Sequence, residues 1–232
     1  MGLYDRDYAR GGEYAYGSTA KNDIQIVSFV KETYKLFAAS MMAGAVGAYV
    51  GVPLAGAVVS YFWPLVILEI GLLIGLQFVK HKPGINLAVM FGFVFMTGLM
   101  LAPLLARTLG MHGGGVIIGN AFMMTSVIFG AMSFYAIKTT KDFSGYGKPL
   151  MIALFVIIGF SIVNIFMGSP LVSIIISGAV VILFSILVTY DTQNIIKGAY
   201  ETPIDGAIAL YLDFLNIFTA LLQLLGIFGR DD

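Results

Sequence analysis

The chain is 232 residues long, 59% hydrophobic and 11% charged, and its 13 basic residues balance 13 acidic ones. A mean hydropathy of +0.91 marks an integral membrane protein rather than a soluble domain, and the neutral balance gives no reason to expect a nucleic-acid partner. Zero cysteines exclude disulfides, thiol catalysis and thiolate metal sites, and His81 and His112 alone are a poor basis for a histidine-built one.

Residues 1–30 read as a polar, Tyr- and Gly-rich cytoplasmic tail ahead of a transmembrane domain at 31–232. The tail lacks an early apolar core, so no cleavable signal peptide is expected and the first membrane helix acts as its own insertion signal. Apolar windows follow at Tyr34–Gly51, Val58–Val79, Ile85–Ala106, Gly115–Ile137, Pro149–Met167, Leu171–Thr192 and Ala207–Phe228. Each is about long enough to cross a ~30 Å hydrocarbon core. Turn residues separate them: Pro53, the Lys80–Gly84 run, the glycines from Gly110 to Gly115, Lys141 to Pro149, Gly168-Ser169-Pro170 and the stretch around Pro203. Nothing alternates with period two, and open strands cannot satisfy their backbone in lipid, so the expected class is an all-α polytopic membrane protein of seven transmembrane helices. The brief break at Gly168 predicts a tight hairpin between windows five and six.

Small residues line the first window from Ala38 to Gly51, and Gly71 and Gly75 lie in the second; both patterns let helices approach closely. Tyr61, Phe62 and Trp63 fit an interfacial aromatic belt. Assigning alternate ends to the cytoplasm puts Arg6, Arg10, Lys21, Lys31, Lys35, Lys80, Lys82, Lys138, Lys141, Lys148 and Lys197 on one side. Arg107 and Arg230 remain for the other. The positive-inside bias therefore predicts a cytoplasmic N-terminus.

Acids inside these windows carry the functional signal. Asp191 and Asp213 sit in the last two windows, on either side of a polar turn centred near Thr202, which puts them on facing helices at one depth. An ionisable group at membrane depth costs roughly 2.5–3.5 kcal/mol on insertion scales, so a pair of them points to function. Two carboxylates in contact cannot both stay ionised cheaply; they share a proton that bridges the helices, and losing it drives them apart. Such a pair is a latch and a pH sensor. On the last window Gly206, Ala209, Asp213, Asn216, Ala220 and Gln223 form a small, polar stripe opposite Leu210, Phe214, Phe218 and Leu221. Together with Glu69 in window two, Asn216 and Gln223 are candidates for an ion path. The HGGG run from His112 carries no nucleophile elbow, and no nucleophile stands beside a base, so the chain does not read as an enzyme.

The stretches Tyr190-Asp191-Thr192-Gln193-Asn194-Ile195 and Leu210 to Phe218 (LYLDFLNIF), with Phe129 to Phe143 and Val30 to Tyr34, resemble the bacterial branch of the transmembrane Bax inhibitor motif family. The resemblance covers about residues 25–228. It implies a bacterial inner membrane, a seventh helix wrapped by the other six, and a pH-sensitive calcium leak. A gating aspartate pair maps onto Asp191 and Asp213, which would also touch calcium transiently as it permeates. In family members an arginine from helix two pairs with the aspartates; window two here has none, and Lys80 is its nearest basic residue. The expected partners are lipid, protons and calcium as permeant ion, with no bound cofactor. A second reading is a stress or proteostasis regulator that binds a membrane protein such as a protease, and a third is a proton-coupled cation exchanger.

Overall fold

The structure, a computed structural model, describes residues 23–229. Its helices are α1 (Asp23–Gly51), α2 (Ala55–Ser60), α3 (Phe62–Val79), α4 (Ile85–Leu109), α5 (Gly114–Lys138), α6 (Gly147–Met167), α7 (Pro170–Ile196) and α8 (Pro203–Phe228). No strand occurs among the described residues. Taking α1 and α2 as one broken segment, 7 stretches are long and apolar enough to cross a membrane. Helices satisfy every interior N–H and C=O within the segment, which is what lipid requires.

Several helices run a few residues past their windows, and two differences change the reading. The first helix begins at Asp23 rather than Tyr34, so the last residues assigned to the tail are helical. Hydropathy fades at Lys31, Glu32 and Lys35, but Phe29 and Thr33 are buried and hold this polar turn in place. Extending an existing helix is cheap compared with nucleating one. The second window, read as continuous from Val58, breaks at Tyr61 between α2 and α3. Pro53 lies in the 3-10 turn Val52–Leu54 that interrupts the helix between α1 and α2. Residues 1–22 and Arg230 lie outside the described residues.

The hairpin predicted at Gly168 is present. Gly168 caps α6 in the left-handed region (φ 61), and Ser169 caps α7 by accepting from the Val172 N–H at 3.4 Å. At the start of α8 the Thr202 hydroxyl accepts from the Asp205 N–H at 3.3 Å, and the Asp205 carboxylate accepts from the Thr202 N–H at 3.0 Å. Pro203 follows at the first helical position, so this capping box fixes where α8 begins.

The last helix is central. Over half of its most apolar stretch (56%) is buried, against at most 33% for any other span. One side packs Leu210, Phe214, Ile217 and Phe218 against α5 and α7, with the Phe129 and Phe214 rings edge-on at 5.7 Å. The other sets Ile204, Ile208 and Tyr211 against α3 and α4. Lipid supplies no hydrophobic drive for this assembly, so close van der Waals packing must do it. The closest approach joins α1 to α4: a side chain at Gly98 would collide with the Gly44 carbonyl, and one at Gly47 with the Phe95 carbonyl. Gly71 and Gly75 of α3, read as packing residues, have nothing within 4 Å where a side chain would start.

Candidate functional site: an aspartate pair under a loop

Asp191 lies in the final turns of α7 and Asp213 well inside α8. Because α7 and α8 are an antiparallel hairpin, the two side chains meet, and their carboxyls are in hydrogen-bonding contact. Both are buried, at 6% and 3% exposed. Asp213 Oδ2 is buried without a hydrogen bond from any donor among the described residues. Two adjacent charges in so dry a place would repel strongly; one proton held between the carboxyls removes the repulsion.

One further polar contact reaches the pair, and the residues beside Asp191 tie α7 to α1, α5 and the α5–α6 loop. Tyr200, in the short connection between α7 and α8, donates its hydroxyl to Asp191 Oδ1 at 2.7 Å. Burial first, and then the Asp191 carboxyl beside it, hold the Tyr200 hydroxyl well above the usual tyrosine range, so it remains a donor. Thr192 bonds the hydroxyl of Tyr34 on α1 and donates to that of Ser133 on α5 at 3.4 Å. Gln193 ties α7 to the α5–α6 loop: its amide donates to the Lys141 carbonyl at 2.9 Å and the Ala136 carbonyl at 3.3 Å, and its oxygen accepts from the Phe143 N–H at 2.9 Å. Tyr200 and Gln193 escaped the sequence reading. Gln193 sits in the same YDTQ run as Asp191, which was a usable signal; Tyr200 had none, because loop geometry alone returns it to Asp191.

Lys80, the expected basic partner of the aspartates, is occupied elsewhere. It pairs with Glu201, with Asp205 Oδ2 3.9 Å away. His81 meets the same Glu201 carboxylate at 2.6 Å. Among the described residues no ion pair reaches Asp191 or Asp213. The Glu201 carboxyl is held below the usual range by Lys80 and then by His81, while Glu201 holds the Lys80 ammonium above its own. On the other flank Lys197 bonds Asp142 of the α5–α6 loop at 2.5 Å and lowers that carboxyl.

The candidate path residues are scattered. Glu69 is half-buried on α3, within electrostatic range of the Tyr211 hydroxyl rather than of the pair. Tyr211 itself donates to the Val94 carbonyl at 3.1 Å and bonds the Thr97 hydroxyl. Asn216 returns its amide to the Leu212 carbonyl of its own helix at 2.7 Å. Gln223 accepts from Ser177 at 3.1 Å and lines a cavity of about 620 Å³ at the far end of α8, with Arg107, Asn164 and Ser173. The polar stripe is thus not one continuous seam.

Two carboxyls and a phenol offer oxygen ligands to a hard cation, yet a resident calcium takes about 6–8 of them. No group of three or more acidic or histidine side chains is assembled among the described residues. Two carboxyls in contact can hold a proton between them.

The profile of the family described as "Inhibitor of apoptosis-promoting Bax1" matches residues 26–230. A Campylobacter jejuni protein is 49% identical over 236 residues, covering 99% of this chain and 99% of its own length. A Helicobacter pylori protein is 47% identical over 232 residues, 100% of both chains. A Vibrio cholerae protein named as a membrane protein is 31% identical over 221 residues, 93% of this chain and 96% of its own. With its seven membrane-spanning segments and its bacterial relatives, the chain belongs to the Bax inhibitor-like family and is a multi-pass bacterial membrane protein.

Proposed function

We propose that the protein is a proton-gated cation leak with calcium as its permeant ion, closed when Asp191 and Asp213 share a proton and opened when both ionise. The observation that carries this reading is the buried contact between two carboxyls on adjacent helices, one oxygen of which has no donor. Such a contact is cohesive with one proton and repulsive with none, so its protonation state biases the separation of α7 and α8. Once both are ionised, the same oxygens attract a divalent cation. The sign follows: flux rises as pH rises and falls in acid. Lys80 has no direct part in this gate, being committed to Glu201 and Asp205.

Calcium flux into proteoliposomes at pH 6 and pH 8 tests it. Wild type should conduct more at pH 8, and Asp213→Asn or Asp191→Asn should flatten that difference, since an amide cannot take up or release the proton. A variant that keeps the full pH response removes the pair from the gate, and flux no higher than in empty liposomes at either pH removes the leak.

A further inference from the structure

Resting on that reading, we infer that Tyr200 and Glu201 make the α7–α8 connection a cap over the aspartate pair, with Tyr200 seated on Asp191 and Glu201 tethering the cap to the end of α3. The two residues are consecutive and do opposite things. Tyr200 turns inward and gives its hydroxyl to a carboxylate oxygen inside the bundle. Glu201 turns outward, is exposed, and takes Lys80 and His81 together. A tyrosine at a membrane surface ordinarily leaves its hydroxyl in water; here the hydroxyl is spent on Asp191.

The tether has a defined geometry. Lys80 caps the C-terminus of α3, and Glu201 lies just ahead of the Thr202–Asp205 box that fixes the start of α8. Displacing the end of α3 therefore pulls on the connection that seats Tyr200. The other flank is held separately by Lys197 on Asp142 and Ser144. The charged and titratable groups around the cap are Asp191, Asp213 and Tyr190 facing Tyr200, and Lys80, His81 and Asp205 around Glu201. While the cap is seated, Asp191 Oδ1 holds a phenolic proton donor instead of an incoming cation. An ion arriving from this end must displace Tyr200, so Tyr200 is a positioning residue for the gate.

Two readouts test the cap separately from the leak. The chain has no cysteine, so spin labels at Lys82→Cys and Ala199→Cys report the separation of the two loops without background. Adding Glu201→Gln should lengthen and broaden that distance; an unchanged distribution overturns the tether. In proteoliposomes Tyr200→Phe keeps the ring but loses the hydrogen bond, and calcium flux at pH 8 should rise roughly tenfold, as expected for one bond to a charged group. Flux and pH profile equal to those of a conducting wild type overturn the seating of Tyr200. If wild type does not conduct, the leak reading fails, and the tether is judged by the label distances alone.

Discussion

Gln193 shows how much one side chain can hold at the edge of this membrane domain. Its amide meets two backbone groups of the α5–α6 turn and one in the last turn of α5, and it is buried, so water cannot replace those contacts. Gln193→Leu should destabilise the protein by about 1–3 kcal/mol, the cost of leaving buried backbone groups unpaired. Thermal unfolding of the purified protein in detergent measures this; an unchanged transition would mean the loop finds other partners. The Asp191 and Asp213 substitutions above should leave that transition nearly in place while removing the pH response of flux, because an amide can still bridge a neighbouring carboxyl. The gating role proposed for Asp191 and the structural role of Gln193, in the same four-residue run, would thus be told apart.

At the level of elements, glycines with similar sequence surroundings have opposite consequences. Gly98→Val drives a branched side chain into the Gly44 backbone of α1, with no flexible group to yield. Overpacking of this kind costs about 1–3 kcal/mol, and a clash with backbone belongs at the upper end. Gly75→Leu on α3 meets open space and should stay within about 0.5 kcal/mol of wild type. Comparing the two transitions in detergent checks the pairing of α1 with α4; equal losses would contradict it. Both glycines stand in apolar windows with small neighbours, so composition does not separate them. What separates them is whether another helix lies against that side.

Across the whole molecule, loop charges tie neighbouring hairpins together at the lysine-rich end. The Glu201 carboxyl is lowered, so its share of the tie is present above the ordinary glutamate value of 4.5 and is lost as pH falls below it. The Lys80 ammonium is raised, so its share is present below the ordinary lysine value of 10.5 and is lost as pH climbs past it. The α3–α4 connection should therefore be most protected from amide hydrogen exchange in the range between, and should loosen once pH falls below the ordinary glutamate value. High salt should weaken the same protection, because Glu201 is exposed and screened. Protection indifferent to both acid and salt would show that these ion pairs hold nothing.

The spans, the hairpin at Gly168 and the presence of acids in the last two helices were legible in the amino-acid order. Each depends on the character of about twenty consecutive residues, and a bilayer selects helices by that local property alone. The start of α1 was misplaced for the same reason: a hydropathy window ends with apolarity, whereas a helix ends when its packing does. The contact of Asp191 with Asp213 followed from counting outward from one turn, since an antiparallel hairpin brings residues at equal distances from its turn to the same height. Other features needed the assembled bundle: Lys80 on Glu201 rather than on the aspartates, Tyr200 over Asp191, Glu69 apart from the pair, and Gln223 in a separate cavity. These depend on which helices become neighbours and how each is rotated about its axis. Most spans here are apolar nearly all round, and the polar stripe of the last helix does not say which neighbour each of its residues meets; close packing among all of the helices decides it.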